Sequence, residues 1–290
     1  MTKPMIHPAQ PAGRMIAQGR GWRLSEFVCR AGPGDRPFEE RHDTVAIAAV
    51  LDGSFHYAAD SGKALLHPGA LMLGNPGSCY QCGHDHSTGD RCAALHLAPE
   101  MFAEIAASSG GSARFRFASA MLPALPDVTR PLVELLAARE DVRREEAVIA
   151  LAEKVVSLLS GAASSVAAPN ARDHRRIDRV LRHIEAHAGE ALDLDALAGI
   201  ACMSKYHFLR CFRRITGVTP YDFLLRLRLR RAALKLSETP APVSAIAYDS
   251  GFGDLSTFNH RFRGTFGESP SRFRARFRAF PGASDRRAAG

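Results

Sequence analysis

Residues 79–92 hold the densest group of side chains that could perform chemistry. Five thiols and imidazoles fall within this segment: Cys79, Cys82, His84, His86 and Cys92. Four of them match in number and type the ligands of a tetrahedral Cys2His2 site for zinc or another soft metal ion, namely Cys82, His84, His86 and Cys92. Alternation in an extended segment places Cys82, His84 and His86 on one side. The spacing therefore predicts a metal site here.

Two other interpretations of residues 79–92 remain open. A thiol redox sensor would use Cys82 with Cys92 or with Cys79. In that case His84 and Arg91 would lower the pKa of the reacting thiol. Alternatively, the segment is a polar loop whose cysteines and histidines are packed or exposed without chemistry, because its spacing is not that of a zinc finger.

Other titratable residues could support such a site. Asp85 and Asp90 are placed to accept hydrogen bonds from the imidazoles and so to orient them. Four further histidines stand singly on strand-like segments, where a place in the core or at its rim is expected: His42, His56, His67 and His96. Of these, His42 and His96 are the better candidates to join a site at the mouth of a barrel.

The elements that must position these residues are strands followed by helices. Residues 22–97 show short apolar runs broken by Gly, Pro, Asn and Asp, which predicts a small barrel or jelly roll. From residue 99 the period becomes helical, and residues 148–159 form an apolar stripe at i, i+3, i+4, i+7 spacing. That stripe fits either the core of the same domain or a dimer-forming helix within residues 128–160.

Charge is unevenly distributed along the chain. The 290 residues carry a net charge of +8, with ordinary proportions of apolar and charged residues for a globular protein. Residues 1–173 hold 17 basic and 19 acidic side chains, whereas residues 174–290 hold 21 basic and 11 acidic ones. The second half is therefore expected to meet a polyanion, and a solvated basic surface is the alternative.

Composition also predicts the domain boundaries. Residues 161–170 are small, uncharged and rich in Ala and Ser, which is typical of a linker. We therefore predict a two-domain α+β protein, with the parts divided as sensor and dimerisation domain 1–160, linker 161–173, DNA-binding domain 174–280 and tail 281–290.

The basic half contains two similar helical units. In the first, Ser204 is placed to cap a helix over 205–215, which ends at Gly217. In the second, residues 250–253 turn the chain into a helix over 255–266, which ends at Gly267. Each helix repeats phenylalanine on its inner face and basic or polar residues on its outer face. Cys202 and Cys211 are expected to be small core residues of this scaffold.

These units resemble the AraC/XylS family of bacterial transcription regulators over residues 177–276. The second unit carries the specific part of the resemblance: Ile246-Ala247, Gly251-Phe252, Ser256, Phe258, Arg261-Phe262, Gly267, Ser269-Pro270 and Phe273-Arg274. Phe273 stands where Tyr is common, a change that preserves packing. The resemblance implies an all-α domain with two helix-turn-helix units, set into successive major grooves of double-stranded DNA.

The resemblance also implies which residues contact DNA. Tyr206, Leu209 and Arg210 would approach bases in one groove. Four residues of the second unit would approach bases in the next groove: Ser256, Thr257, Asn259 and His260. Phosphate contacts are expected from Lys205, Arg214, Arg261 and Arg263. Arg210 would pair with guanine and Asn259 with adenine.

The first half resembles, less specifically, the cupin-like sensor domain of the same family. The resemblance is carried by His42, Gly53, Phe55, Tyr57, Pro68-Gly69 and Asn75-Pro76-Gly77. It implies a cupin-like β-barrel with appended helices. The usual cupin metal motif, His-x-His followed by Glu, is absent around His42, so an enzyme-type cupin centre is not expected there.

The sequence thus predicts a DNA-binding transcription regulator without catalytic activity. Its signal would be a metal ion or a thiol-reactive compound at residues 82–92, or else a small organic effector in the barrel. A metal-dependent or methyl-accepting repair protein with a DNA-binding tail is a distant alternative. The expected partners are promoter DNA, RNA polymerase and a second copy of the chain.

No membrane association is expected. No run of 18 uncharged apolar residues occurs, and residues 1–14 do not form a secretory signal. A cytoplasmic location follows, in which the six cysteines are mostly reduced.

Overall fold

The computed structural model describes residues 12–37, 39–84, 89–109, 111–161 and 170–278. Two compact units make up the chain, Met1–Ala168 and Pro169–Gly290. The division falls inside the segment 161–173 that the sequence predicts as a linker. Residues 162–169, the predicted tail 281–290 and the predicted ligand His86 lie outside the described residues.

The N-terminal unit is built on two antiparallel sheets. Its strands are β1 (Ala12–Gly19), β2 (Trp22–Cys29), β3 (Glu39–Arg41), β4 (Val45–Gly53), β5 (Phe55–Ala59), β6 (Gly62–Leu66), β7 (Leu71–Gly74), β8 (Cys79–Gly83), β9 (Asp90–Leu97) and β10 (Met121–Leu122). The six-stranded sheet has the order β1-β2-β9-β4-β7-β10, and the four-stranded sheet has the order β3-β8-β5-β6.

Apolar side chains from both sheets form the core of this unit. In β4, six consecutive residues from Val45 to Val50 are buried, which is typical of a strand covered on both faces. One buried cluster joins residues of both sheets: Val50, Phe55, Tyr57, Leu66, Ala70, Cys92 and Ala120. The cysteine in this cluster shows that part of the 79–92 segment faces inward.

Three helices complete the described part of the N-terminal unit. They are α1 (Pro99–Ser108), α2 (Pro126–Ala137) and α3 (Asp141–Leu159). The apolar stripe of α3 is buried, with Val148, Leu151 and Val155 at most 1% exposed. The core interpretation of that stripe is therefore correct. On α2, by contrast, Val133 remains 56% exposed.

The C-terminal unit is entirely helical in its described part. Its helices are α4 (Ala171–Ala186), α5 (Leu194–Ala201), α6 (Lys205–Thr216), α7 (Pro220–Glu238), α8 (Val243–Asp249), α9 (Leu255–Phe266) and α10 (Pro270–Arg278). Asn170 and Asp173 form a reciprocal capping box at the start of α4, so this helix begins inside the predicted linker segment.

The second helices of the two helix-turn-helix units begin with the same kind of cap and end with the same kind of glycine. Ser204 caps α6 by accepting a hydrogen bond from the amide of His207, and Asp254 caps α9 through the amide of Thr257. Gly217 and Gly267 end these helices at φ of 77° and 78°, a left-handed conformation that glycine adopts without a Cβ clash. Cys202 adopts φ of 50° in the first turn and is exposed, so the expectation that it fills the core is wrong.

No described helix combines the length and the apolar composition needed to cross a bilayer.

Candidate ligand cavity and nucleic-acid interface

A cavity of about 230 Å³ lies in the N-terminal unit and is lined by both sheets. Its polar walls carry three thiols, three imidazoles and several carboxylates, while aromatic and small apolar side chains close the rest. The polar lining residues are Cys29, Asp35, Arg36, Glu40, His42, Tyr80, Cys82, His84, Asp90, Cys92 and His96. Three of the four predicted metal ligands lie among the described residues, and all three line this cavity: Cys82, His84 and Cys92.

Asp90 is the centre of the polar network at one end of the cavity. One carboxylate oxygen, Oδ1, lies 2.8 Å from Nε2 of His84. The other, Oδ2, accepts a hydrogen bond of 3.1 Å from the thiol of Cys92. The side chains of His84 and Asp90 are only 2% and 8% exposed. The hydrogen bond expected between Asp90 and an imidazole is thus present, and its role in orienting a metal ligand stays a prediction.

Among the described residues, the structure brings together a ligand set that includes a cysteine not singled out in the sequence, while the predicted set, which includes His86, stays a prediction. Ligand atoms of Cys29, His84 and Asp90 all lie within 4.8 Å of one another. Among the described residues, neither Cys82 nor Cys92 belongs to this group, although both line the same cavity. Sequence spacing gives no sign of Cys29, because cross-strand pairing of β2 with β9 brings it directly opposite Asp90.

The protein environment disfavours the thiolate form of these cysteines. Burial raises the pKa of Cys29, and the Asp90 carboxylate raises it further. Burial first and then Asp90 also raise the pKa values of Cys82 and Cys92. The expectation that His84 and Arg91 lower a thiol pKa is therefore wrong. Arg91 instead points to the surface, 3.8 Å from Glu26.

Two neutral histidines line the cavity as well. Nε2 of His42 lies 2.8 Å from the hydroxyl of Tyr57, which itself donates to the carbonyl of Leu73. The His42 ring also stacks on Tyr80 at 4.1 Å. Burial and the nearby His96 lower the pKa of His42 to about 4. Burial and then Arg23 lower the pKa of His96 to about 4.

The remaining single histidines take no part in the cavity. His56 and His67 are exposed. Neither belongs to the cavity lining. Of these four histidines, His42 and His96 are the two that line the cavity.

In the first helix-turn-helix unit, several predicted DNA contacts are covered. Tyr206 and Leu209 are only 5% and 4% exposed, so the expectation that they stand on an open face is not met. Both carry large apolar surface, whose removal from water is favourable. Lys205 donates to the carboxylate of Asp195 at 3.1 Å, while Arg210 is half-buried and Arg214 is exposed.

The second unit presents a more open recognition face. On α9, Ser256, Asn259, His260 and Arg263 are exposed, and Thr257 and Arg261 are half-buried. The opposite face of the helix buries Phe258 and Phe262 completely. All six predicted contacts of this unit thus lie on α9 with at least part of the side chain accessible.

A second group of ligand-type atoms occurs in the C-terminal unit. Ligand atoms of Asp173, His207 and Cys211 lie within 4.8 Å of one another. The Asp173 carboxylate accepts a hydrogen bond from the amide of Asn170, and the thiol of Cys211 lies 3.5 Å from Nε2 of His207. The closeness of Asp173 to His207 and Cys211 brings the first turn of α4 near α6. Cys211 is buried, as expected for a core cysteine.

Two family models match the chain. One is described as a helix-turn-helix domain and covers residues 197–276, and the other is described as an AraC-like ligand binding domain and covers residues 25–168. The regulatory protein SoxS of Escherichia coli (strain K12) is 34% identical, over 34% of this chain and 94% of its own. The chain belongs to the AraC family.

Other members of this family also match. The uncharacterized HTH-type transcriptional regulator YbfI of Bacillus subtilis (strain 168) is 27% identical, over 74% of this chain and 78% of its own. Among solved structures, the DNA-binding domain of AdpA in complex with a target DNA is 32% identical, over 36% of this chain and 94% of its own, with a TM-score of 0.35.

Family membership assigns a general role to each unit of this AraC-family regulator. The C-terminal helix-turn-helix unit is its DNA-binding domain, and the N-terminal β-rich unit is its ligand-binding domain. The predicted fold class and the prediction of a DNA-binding transcription regulator are both confirmed.

Proposed function

We propose that this AraC-family regulator reads promoter DNA mainly through α9 and adjusts that binding to a signal held in the N-terminal cavity. The open polar and basic face of α9 carries the first part of the proposal. Asn259 presents an amide suited to adenine, and His260 and Ser256 stand on the same exposed surface. Arg261 and Arg263 add phosphate contacts, with Thr257 beside them.

In the first helix-turn-helix unit, fewer of the predicted DNA contacts are accessible. Arg214 is exposed and suits a phosphate contact. Nε and Nη1 of Arg210 are buried, so a guanine contact by this residue requires that its guanidinium become uncovered on DNA. Lys205 neutralises Asp195 and so acts on DNA only if that ion pair opens. Base contact by Tyr206 and Leu209 likewise requires that their side chains become uncovered on DNA.

Replacing Asn259 with alanine is expected to weaken binding to the cognate site by about 1–3 kcal/mol and to leave binding to random DNA almost unchanged. The reason is that a base-reading amide contributes only where its adenine is present. Fluorescence anisotropy on a selected operator and on a scrambled duplex measures both affinities.

Arg263→Ala on the same helix is the matched comparison. It should weaken binding to both duplexes similarly and lower the salt dependence by roughly one phosphate contact. If Asn259→Ala weakened the two duplexes equally, base reading by this residue would be refuted.

A second copy of the chain is the proposed occupant of the outer face of α2. Val133 and Leu136 lie one turn apart there, and both are exposed large apolar side chains. The stripe of α3 is already buried within the unit. The exposed large apolar side chains of the described 128–160 helices therefore lie on α2. Pairing would double the phosphate contacts and thus steepen the salt dependence of DNA binding.

Val133→Asp is expected to convert the regulator from a two-chain to a one-chain species, because the interface would bury an unpaired charge. Sedimentation velocity reports the mass directly. Leu65→Asp provides the control, since Leu65 is similarly exposed but lies on β6 of the same unit. A one-chain mass for the unmodified protein, or dissociation by Leu65→Asp as well, would contradict the α2 interface.

The cavity is the proposed binding place of the signal. Three thiols and His84 in its walls favour a soft metal ion such as zinc, or a thiol-reactive compound. The aromatic side chains Phe27, Phe55 and Tyr80 instead support the alternative, a small organic effector. Metal content and thiol count of the full chain, before and after a chelator, separate these possibilities.

The remaining parts of the proposal follow from DNA binding itself. A regulator of promoters acts where the DNA and RNA polymerase are, which places this protein in the cytoplasm with the polymerase as a partner. We assign it no catalytic activity, because its relatives are transcription regulators. Product formation from a candidate effector incubated with the purified chain would overturn this assignment.

A further inference from the structure

We propose that the N-terminal cavity contains a binding site for one thiophilic divalent cation of the zinc class, with Cys29, His84 and Asp90 as protein ligands. The fourth coordination position would face the cavity. This inference deepens the proposed function, since it rests on the cavity as the place where the signal binds. It replaces the Cys2His2 set by a thiolate, an imidazole and a carboxylate drawn from three strand ends.

The backbone brings these three ligands together at one end of the sheets. Cys29 is the last residue of β2 and Asp90 the first residue of β9, and the two are direct partners in the antiparallel ladder. His84 follows the last residue of β8, in the other sheet. The site would therefore link the two sheets where these strands end.

The separations suit a tetrahedral ion. Bonds of about 2.0–2.3 Å to a tetrahedral zinc place two ligand atoms about 3.5 Å apart. The three ligand atoms already lie within 4.8 Å of one another, so side-chain rotations suffice to close around an ion. The cavity volume of about 230 Å³ is below the roughly 300–1,000 Å³ of typical pockets for organic ligands, which favours an ion with a small co-ligand.

Neighbouring side chains hold two of the ligands in place. The thiol of Cys92 donates to Oδ2 of Asp90, which leaves Oδ1 directed at His84. The ring of His84 packs at 5.8 Å against Phe55. Such outer contacts orient metal ligands and raise affinity. Cys92 is thus a positioning residue in this site, and its thiol proton stays on sulfur.

A bound cation would also interact favourably with the buried carboxylate of Asp90. The side chain of Asp90 is only 8% exposed, and a cation bound beside a buried carboxylate is strongly favourable. On binding, the hydrogen bond between Nε2 of His84 and Oδ1 of Asp90 gives way to two metal bonds, and the proton of that hydrogen bond moves through solvent to Nδ1 of His84. Cys29 loses its thiol proton to solvent, so each ion taken up releases one proton.

The test uses the full chain, stripped with a chelator, and Co²⁺ as a spectroscopic substitute for Zn²⁺. We expect one Co²⁺ per chain, with a thiolate-to-cobalt charge-transfer band that Zn²⁺ removes. Cys29→Ser should abolish that band. His84→Gln and Asp90→Asn should each weaken binding at least tenfold, measured by competition with a chromogenic chelator. Cys92→Ser should keep the band and weaken binding by roughly 10–100-fold.

Cys79→Ser is the matched control, because Cys79 lies on β8 near Cys82 but does not line the cavity. It should bind like the unmodified chain. Fluorescence of Trp22, the one tryptophan in the chain, verifies that each variant is folded in the N-terminal unit. Absence of Co²⁺ uptake by the folded chain would overturn the site. A band that survives Cys29→Ser and disappears with Cys82→Ser and Cys92→Ser would also overturn it.

Measurement of operator affinity distinguishes the existence of the metal site from its role in sensing the signal. A difference in operator affinity between the stripped and the Zn²⁺-loaded chain, lost in Cys29→Ser, supports both. Stoichiometric Zn²⁺ binding with unchanged operator affinity supports the site and overturns its role as the signal. Absence of Zn²⁺ binding overturns the site, while a response of operator affinity to an organic compound would still uphold sensing by the cavity.

Discussion

Replacing Phe262 with alanine is expected to lower the free energy of unfolding of the C-terminal unit by about 3–5 kcal/mol. Phe262 is 0% exposed and lies at the centre of the core of the second helix-turn-helix unit. Its ring packs at 5.4, 4.4 and 5.3 Å against Phe258, Phe266 and Phe273. The substitution removes the central ring of this cluster and leaves a cavity.

The same substitution should strongly reduce operator binding, because Phe262 holds α9 against the rest of the unit. Urea unfolding followed by far-ultraviolet circular dichroism reports the helices of both units, and the part of the transition that shifts in the variant is that of the C-terminal unit. Trp22 fluorescence reports the N-terminal unit, where Trp22 is buried, and should show an unchanged transition.

Phe262→Leu is the control, since it retains much of the side-chain volume and should cost clearly less. A loss below about 1 kcal/mol for Phe262→Ala would show that the neighbouring rings close the cavity, and would contradict the central role of this side chain.

The helical half was predictable because its determinants are local. Phe258 and Phe262 repeat at helical spacing, Gly267 supplies the left-handed residue that ends α9, and Ser204 caps α6 in the first unit. Each of these signals lies within about a dozen residues of sequence. Periodicity and caps therefore indicate where the helix begins, which face it buries and where it ends.

Helical periodicity gave a wrong prediction of exposure for the outer face of α6. Helical spacing put Tyr206 and Leu209 beside charged residues on the outer face, yet both are buried. Periodicity ranks the faces of a helix relative to each other, but it does not report whether a second surface covers the less apolar face. That is decided by tertiary packing, to which large apolar side chains contribute strongly.

The cavity could be predicted only in part, for a topological reason. Cys82, His84 and Cys92 are close in sequence, and all three line the cavity from β8, from the residue after it and from β9. Cys29 reaches Asp90 through the pairing of β2 with β9, whose register the sequence does not encode in any spacing. Ligand sets assembled across sheets are therefore incompletely predicted from a single segment.

Acidification from about pH 7.5 to about pH 5 is expected to destabilise the N-terminal unit by about 2 kcal/mol for each of His42 and His96. The pKa of both falls to about 4 in the folded protein, because burial disfavours the charged ring. The ordinary value is about 6.5, so below that pH the unfolded chain binds protons that the folded chain does not. The stability is present above pH 6.5 and is lost as the pH falls towards 4.

Charged neighbours modify this effect without changing its sign. The mutual repulsion of His42 and His96 and the charge of Arg23 both act against protonation, and Asp43 acts weakly in favour of it for His42. Urea unfolding of the full chain, followed through Trp22, gives the difference in unfolding free energy between the two pH values.

His42→Asn and His96→Gln should each remove about half of the pH-dependent difference, whatever they do to stability at neutral pH. His67→Gln should leave the difference unchanged, since His67 is exposed on the same unit. Only the difference in unfolding free energy between the two pH values is compared. The stability lost by removing the stacked ring of His42 is the same at both pH values and therefore cancels. If the unmodified chain were equally stable at both pH values, neither imidazole would be held neutral by burial in the cavity wall.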